Sequence, residues 1–303
     1  MEFRPFYGEK IDLVTLKQRS EELMDNLESC TLCPHACRVN RKKGEIGQCG
    51  AGMELEVASY GPHYGEESLL VGYRGSGTIF FNHCPMHCIY CQNWTISQSH
   101  GEKISIETLA GYMEELQALG CHNINLVTPT HYLPQILAAL VIAVRNGLNA
   151  PIVYNCGGYE STATLKKLDG IIDIYLPDAK YADENTALQL SRIHGYPEAM
   201  KAALEEMHRQ VGDLIKVDRR GIAQRGLLIR HLVLPDNLAG TEEIMTFIAK
   251  KISPTAAINI MAQYYPAYQA FKHQSLQHHL QPKEHEKACK LAFSISPKFQ
   301  LNF

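Results

Sequence analysis

The amino-acid sequence predicts an α/β protein, a partial (β/α)6 TIM-like barrel that follows a cysteine-rich N-terminal extension. From residue 77 onward, six short β-prone runs alternate with helical stretches. The runs are apolar and mostly lack polar–apolar alternation, which is typical of parallel strands covered on both faces. Six units are too few for a closed eight-stranded barrel. A curved partial barrel and a doubly wound sheet are therefore the two alternatives.

Each predicted strand is short and is followed by a candidate helix. The strands are predicted at 78–81, 124–128, 151–155, 171–176, 226–234 and 258–262. The helices are predicted at 105–119, 132–147, 160–168, 196–216, 241–252 and 283–293. Because functional sites of such folds lie beyond the C-terminal ends of the strands, we expect the site there.

The N-terminal part of the chain follows a different pattern. Leucines at roughly helical spacing predict a helix within residues 1–29. They are Leu13, Leu16, Leu23 and Leu27. Residues 30–76 are rich in Cys and Gly and show little periodicity, which predicts a loop-rich segment that a metal can organise. We therefore divide the chain into a metal-binding segment, 1–76, and a barrel with a C-terminal helical tail, 77–303.

Composition excludes several classes of protein. The 303 residues are 45% hydrophobic and 20% charged, and the net charge of −3 gives no basic footprint for nucleic acid or anionic membrane. The N-terminal run lacks the apolar core of a secretory signal, and the longest apolar stretch, 136–144, is too short to span a bilayer. We expect a cytoplasmic protein with no nucleic-acid and no membrane partner.

The sharpest local feature is the run Cys84-Pro-Met-His-Cys88-Ile-Tyr-Cys91, directly after the first predicted strand. In a reducing compartment, clustered cysteines indicate metal or redox chemistry. Three thiolates within eight residues can hold a four-iron cluster and leave one iron open to another ligand. The alternative is a zinc site completed by His83 or His87, although the spacing CxxxCxxC is unusual for zinc.

This spacing, with the aromatic Tyr90 before the last cysteine, resembles the motif of the radical S-adenosylmethionine (SAM) superfamily. The surrounding run GSGTIFFNHCPMHCIYCQNWTISQ and the run RGLLIRHLVLP at 225–235 are similar, more specifically, to uncharacterised relatives of the pyruvate formate-lyase activating enzyme. The resemblance extends from residue 30 onward. It implies a [4Fe–4S] cluster on Cys84, Cys88 and Cys91 whose open iron binds SAM.

The resemblance also implies a reaction. In that superfamily the reduced cluster cleaves SAM to methionine and a 5′-deoxyadenosyl radical, which abstracts a hydrogen atom from the substrate. A reducing flavodoxin or ferredoxin is the implied electron donor. The substrate stays open between a protein, such as a glycyl radical enzyme that the chain activates, and a small molecule. A third alternative is a non-catalytic iron–sulfur or zinc protein. Many activators carry a ferredoxin-like insertion after the cysteine loop, which this chain lacks.

Polar residues at the ends of the second and third strands are candidates for binding the cofactor. Superfamily members usually carry a Gly-Gly-Glu turn after strand two, but here the run reads Val127-Thr-Pro-Thr-His131, without Glu. Thr130 or His131 are the candidates to replace it, unless His131 only begins the next helix. After strand three, Asn155 precedes Cys-Gly-Gly and resembles the Asn/Thr-Gly turn of the relatives. The alternative is a tight turn between strand and helix.

The ends of strands four and five supply charged candidates. Asp178-Ala-Lys180 resembles the Asp-x-Lys of activating enzymes, and alternate residues on a strand share a face. Asp178 and Lys180 are therefore candidate catalytic and cofactor-binding residues, unless they form a purely structural ion pair. Arg230 and His231 point to opposite faces of a regular strand, so one of them reaches the site. Our candidate for cofactor binding is His231, together with Tyr90 of the cysteine loop.

A second group of cysteines precedes the barrel. It has the spacing C-x2-C-x3-C-x11-C and consists of Cys30, Cys33, Cys37 and Cys49. Four soft ligands close a metal site, so either a structural zinc or a second iron–sulfur cluster fits, and the sequence does not choose between them. The alternative is a set of partly buried cysteines without a metal.

Overall fold

The computed structural model describes residues 3–214 and 216–301, and in this part of the chain ten strands form one sheet. The strands are β1 (Leu55–His63), β2 (Ser76–Phe81), β3 (Glu102–Ile104), β4 (Ile124–Val127), β5 (Ile152–Cys156), β6 (Ile174–Pro177), β7 (Lys216–Val217), β8 (Ala223–Leu232), β9 (Ala257–Met261) and β10 (Gln300–Leu301).

Helices cover the outside of the sheet. They are α1 (Phe6–Glu9), α2 (Leu13–Asn26), α3 (Ser68–Val71), α4 (Trp94–Ser97), α5 (Ile106–Ala118), α6 (Leu133–Arg145), α7 (Thr162–Lys167), α8 (Glu184–Ser191), α9 (Tyr196–Val211), α10 (Thr241–Phe247) and α11 (Pro282–Ile295). Polar side chains start several of them: Asp12 accepts a hydrogen bond from Thr15 N, and Ser105 accepts one from Thr108 N. None of the helices in the described ranges is long and apolar enough to cross a bilayer.

The order of the strands confirms the partial barrel. The sheet runs β10-β9-β8-β6-β5-β4-β2-β1-β3, with β7 paired to β8. The six strands β2, β4, β5, β6, β8 and β9 are parallel and lie side by side in chain order. A doubly wound sheet reverses its strand order at a switch point, whereas a barrel does not. The antiparallel strand β1 closes one side of the curved sheet against β2.

The lower part of the barrel interior is apolar. Side chains from β5, β6, β8 and β9 meet Leu70 of α3 in one buried cluster. Those strand residues are Val153, Ile174, Leu176, Leu228 and Ala257. Toward the C-terminal ends of the same strands the inward positions become polar, and this change places the functional cavity above the apolar layer.

The N-terminal segment contains more regular structure than the sequence predicts. Residues 30–76 were expected to be loop-rich, but β1 lies there and pairs with both β2 and β3. Buried Glu56, the second residue of β1, interrupts the apolar pattern that would have indicated a strand. The expected helix within 1–29 is α2, whose Ser20 contacts Pro134 O of α6; positions 1 and 2 lie outside the described residues.

The predicted helices are confirmed with shifted ends. The helix predicted at 196–216 ends at Val211, because Gly212 follows with a positive φ of 71°; its position 215 lies outside the described residues. The strand predicted at 171–176 begins only at Ile174. Asp173 before it is buried and accepts hydrogen bonds from the backbone N–H groups of Phe6 and Ile152.

Candidate active site

A cavity of about 560 Å³ opens at the C-terminal ends of the barrel strands, which is the size of a small-molecule site. All three cysteines of the loop after β2 line it, together with polar side chains from the other strands. The polar residues of the lining include Glu66, Glu67, Asn155, Asp178, Lys180, Arg230 and Asn259. The cavity thus lies at the strand ends, where the sequence predicts the site, and the functional roles of its residues stay predictions.

The thiols of the cysteine loop each have a hydrogen-bonding neighbour. Met86 N donates to Cys84 Sγ at 3.3 Å, Ser191 Oγ donates to Cys88 Sγ at 2.9 Å, and Ser97 Oγ lies 3.2 Å from Cys91 Sγ. Donors of this kind stabilise a thiolate or a metal-bound sulfur. Three soft ligands that face one cavity with such donors fit a cluster that keeps one iron open toward the cavity.

The spacing of the sulfurs does not match a single metal ion. Zinc holds each thiolate at about 2.3 Å, so its sulfur ligands lie at most roughly 4.6 Å apart. Among the described residues, three possible ligand atoms lie within 4.8 Å of one another only at Glu56, His83 and His100. The side chain of His87 instead contacts Gln98 Oε1 and Gln48 O. The geometry therefore favours a cluster over the zinc alternative at this loop.

A buried network of charges joins the ends of β6 and β8. Asp178 Oδ2 accepts a hydrogen bond from Lys180 Nζ at 2.6 Å, and Asp178 Oδ1 accepts one from Arg230 Nε at 2.8 Å. Burial acts to raise the pKa of Asp178, but the two cations outweigh it and the pKa is lowered. Burial acts to lower the pKa of Lys180, and Asp178 reverses this. Both groups are held ionised beside the cysteine loop.

Asn155 belongs to the same network. Its Oδ1 accepts a hydrogen bond from Arg230 Nη2 at 2.6 Å, and its Nδ2 donates to Glu66 Oε1 at 3.3 Å. Glu66 Oε2 lies 3.6 Å from Arg230 Nη1. Five of the polar groups are thus brought into one connected set, although the sequence places Glu66 far from the other four. Asn155, Asp178 and Lys180 lie where the sequence predicts them.

Thr130 and His131 lie elsewhere. Thr130 Oγ1 donates to Glu160 Oε1 at 2.8 Å, and Tyr154 OH donates to Glu160 Oε2 at 2.9 Å. The ring of His131 is buried and donates from Nε2 to Asn82 O at 2.7 Å, and burial lowers its pKa to about 3. Neither residue is among those that line the cavity. That Thr130 or His131 binds a cofactor stays a prediction, and their position outside the cavity does not favour it.

Of the two neighbours on β8, Arg230 lines the cavity. His231 points to the opposite face, where its ring contacts Ala179 O and Thr241 Oγ1. Burial lowers the pKa of His231 to about 4, so the ring is neutral. The expected opposition of the two side chains is observed, and the geometry favours Arg230 over His231 for contact with a ligand.

Tyr90 acts behind the cysteine loop. Its hydroxyl is hydrogen-bonded to Tyr181 OH, which is hydrogen-bonded in turn to Ser191 Oγ at 2.6 Å. Ser191 then reaches Cys88 Sγ. Tyr90 is fully buried and is not among the residues that line the cavity. This chain of hydroxyls connects it to the sulfur and offers no direct contact with a ligand in the cavity.

Two glycines after β5 allow the cysteine loop and β6 to approach closely. A Cβ on Gly157 would lie 2.6 Å from Met86 Sδ. A Cβ on Gly158, whose φ is +78°, would lie 2.1 Å from Asp178 O. The contacts show a packing role for both, and Gly157 also lines the cavity.

The N-terminal cysteines lie directly behind the cysteine loop. His35 Nε2 donates to Pro85 O at 2.7 Å, and His87 Nε2 donates to Gln48 O at 2.7 Å. Cys37 Sγ packs so closely on Gly47 that a Cβ there would lie 2.5 Å from the sulfur. The thiols at 30, 33, 37 and 49 influence one another electrostatically and are thus neighbours. The fold brings the two cysteine groups side by side.

Comparison with known proteins places these features in a family. Residues 78–218 match the model of the radical SAM superfamily. An uncharacterized protein of Methanocaldococcus jannaschii, MJ0674, is 33% identical over 282 residues, which cover 89% of this chain and 76% of that protein. A second uncharacterized protein of the same organism, MJ0808, is 28% identical over 165 residues, 49% of this chain and 48% of that one.

Among solved structures, methylornithine synthase (PylB) superposes with a TM-score of 0.48 and 16% identity, covering 72% of this chain and 60% of that one. The hydrogenase maturase HydG from Carboxydothermus hydrogenoformans gives a TM-score of 0.47 at 15% identity, with coverage of 72% and 50%. On the family match and the relationship to MJ0674, the chain belongs to the radical SAM superfamily.

Proposed function

We propose that the chain is a radical SAM enzyme that cleaves SAM reductively and uses the resulting radical to abstract a hydrogen atom. The observation that carries this proposal is the placement of three hydrogen-bonded thiols, at Cys84, Cys88 and Cys91, on the cavity that also holds the Asp178–Lys180–Arg230 network. When bound, the cluster supplies an electron and an open iron, and SAM supplies the radical precursor.

The roles of the surrounding residues follow from their contacts. Cys84, Cys88 and Cys91 would hold the cluster. Asp178 holds Lys180 and Arg230 ionised and fixed in direction, so that these two cations can bind the carboxylate of SAM or of the substrate. The charged side chains are mostly buried, and the low exposure of Asp178, Lys180 and Arg230 strengthens the electrostatic interactions among them.

The substrate class has two candidates. The resemblance to activating enzymes favours hydrogen abstraction from a protein, such as the glycine of a glycyl radical enzyme. A small molecule is favoured by the size of the cavity, about 560 Å³, and by the polar side chains that line it. A non-catalytic iron–sulfur protein does not need a cavity of about 560 Å³ beside its cysteines.

The N-terminal cysteines are proposed as a second metal centre on Cys30, Cys33, Cys37 and Cys49. Four soft ligands close a metal site, so either a second iron–sulfur cluster or a structural zinc fits them. Reducing flavodoxin or ferredoxin is the proposed electron donor. Iron, zinc and sulfide content of the purified chain decides the metal: a second cluster predicts eight irons per chain, about four of which Cys33→Ala loses.

An activity assay tests the enzymatic proposal. Anaerobically reconstituted chain, reduced by dithionite, is incubated with SAM, and 5′-deoxyadenosine is measured by chromatography. Cys88→Ala should abolish the product. Cys289→Ala is the matched control, because Cys289 lies on α11 and does not line the cavity. Equal cleavage by Cys88→Ala and the wild type would contradict the proposed cluster ligands.

A further inference from the structure

Two adjacent acids enter the barrel from the segment between β1 and β2. Glu66 and Glu67 precede the short helix α3, whose Leu70 packs in the apolar layer of the interior. Both carboxyls are buried, with Glu67 only 7% exposed, and both residues line the cavity. Neither follows a barrel strand, so a search of strand ends in the sequence does not find them.

The contacts of the two acids are incomplete. Glu67 Oε1 accepts a hydrogen bond from Asn259 Nδ2 at 3.1 Å, but Glu67 Oε2 has no hydrogen-bond partner among the described residues. On β4, Asn125 shares a face with the cavity-lining Val127 and is fully buried, and neither Oδ1 nor Nδ2 has a partner in the described part of the chain. Buried polar atoms without partners are costly, and they commonly mark a site that a ligand or water completes.

The charges of the cavity are also unequal. The ionisable acids that line it are Glu66, Glu67 and Asp178, whereas the cations are Lys180 and Arg230. Asp178 already takes both cations, and Arg230 only approaches Glu66. Burial raises the pKa of Glu66 to about 7, so this carboxyl carries its full charge only when a further cation binds beside it, and the three carboxylates then face the two lining cations and the bound one.

The depth of Glu67 separates its carboxyl from the cysteine loop, while Glu66 lies beside Asn155 and Arg230. Glu67 contacts Asn259, which lies two residues before the end of β9, or roughly 7 Å below that end at the rise of a strand. The cysteine loop begins beyond the end of β2, above this level. Resting on the proposed function, which assigns the cofactor to the cysteine loop, we propose that Glu66 and Glu67 form a subsite for a primary ammonium group of the substrate.

Such a subsite has a defined chemistry. Glu67 Oε2 and the second oxygen of Glu66 would accept hydrogen bonds from the ammonium. The substrate would then lie below SAM, with its ammonium group bound by Glu66 and Glu67. A free amine and the lysine side chain of a protein both present a primary ammonium group. Two probes distinguish these two sources.

Binding of n-propylammonium to the reconstituted holoenzyme is measured by anaerobic calorimetry, with 1-propanol as the neutral probe of similar shape. The ammonium should bind at least tenfold tighter than the alcohol, and Glu67→Gln should weaken it at least tenfold. Glu54→Gln removes an exposed carboxylate outside the cavity and should change binding less than twofold. The blocked peptide N-acetyl-Gly-Lys-Gly-amide binds tighter than the free amine only if the source is a protein lysine.

Three results overturn the subsite. The first is equal binding of the alcohol and the ammonium to the wild type, a measurement that needs no variant. The second is unchanged ammonium binding in the Glu67→Gln variant when its melting temperature shows that it is folded. Stoichiometric competition between SAM and the ammonium assigns the acids to the cofactor instead. The proposed function is tested separately in the same preparation. If the wild-type chain forms no 5′-deoxyadenosine, the proposed function fails, whatever the result for the subsite.

Discussion

Arg230 Nε donates a hydrogen bond to Asp178 Oδ1 at 2.8 Å and thereby ties the end of β8 to the end of β6. The second oxygen of Asp178 accepts a hydrogen bond from Lys180 Nζ, so one carboxylate pairs with two buried cations. Removal of one partner from such a buried group leaves the other charges without compensation, which costs more than loss of a surface pair.

Asp178→Asn should therefore reduce the free energy of unfolding by about 3–5 kcal/mol. It should also lower the rate of SAM cleavage at least tenfold, because Lys180 and Arg230 lose their fixed directions. Urea unfolding and the cleavage assay measure the two effects. Asp169→Asn is the control, since Asp169 pairs with Arg209 at the surface and its loss should cost less than about 1 kcal/mol. Similar losses in both variants would contradict the buried network.

Gly158→Ala tests the packing of β5 against β6. The new Cβ would lie 2.1 Å from Asp178 O at a φ of +78°, so the backbone must move. We expect a loss of more than about 2 kcal/mol in the free energy of unfolding. Gly111→Ala, in the middle of α5 with no atom near its Cβ, should be neutral or stabilising by up to about 1 kcal/mol. A neutral Gly158→Ala would show that this approach is not required.

Ser191→Ala tests the hydroxyl chain behind the cysteine loop. Ser191 Oγ donates to Cys88 Sγ at 2.9 Å, and donors to cluster sulfurs favour the reduced state, which carries the extra electron. Loss of this donor should make the reduction potential of the cluster more negative, as measured by redox titration monitored by electron paramagnetic resonance. Ser294→Ala, on the exposed side of α11, should leave the potential unchanged. An unshifted potential in Ser191→Ala would argue against this coupling.

Stability should depend on pH through Asp173. Burial raises the pKa of this carboxyl from 3.8 to about 7, although Phe6 N and Ile152 N oppose the rise. Between these two values the folded chain holds a proton that the unfolded chain has released. The free energy of unfolding therefore falls as pH rises from about 4 to about 7, by at most about 4 kcal/mol for this group.

Asp173→Asn removes this contribution because an amide does not titrate. The variant also leaves one backbone N–H without an acceptor, a loss of about 1–3 kcal/mol that does not change with pH. Urea unfolding at pH 5.5 and pH 8 should show a smaller difference in the variant than in the wild type. Burial also raises the pKa values of Glu66 and Glu160 to about 7, so the free energy of unfolding of the variant should still differ between the two pH values. An identical difference in both proteins would contradict the assignment.

The barrel was largely predictable from the sequence, because its strands and helices obey local rules. The six parallel strands are found within three residues of their predicted ends. The strand β1 was missed because buried Glu56 and the run Gly61-Pro62 break its apolar pattern. The strand is recognised only from its pairing with β2, and pairing between distant segments leaves little trace in one sequence.

The site was predictable only where its residues follow a strand. Asn155, Asp178 and Lys180 lie at strand ends and were found, whereas Glu66 and Glu67 reach the cavity from below on a different segment. Alternation along β8 separates Arg230 from His231, but it does not show which face points inward. That choice depends on the curvature of the whole sheet.

The most direct test of the central claim is formation of 5′-deoxyadenosine by the wild-type chain with a fully loaded, dithionite-reduced cluster. The account predicts that the product accumulates with SAM and that it is absent without reductant. Absence of the product in a preparation whose iron content and spectrum show a complete [4Fe–4S] cluster would contradict the assignment of this chain as a radical enzyme.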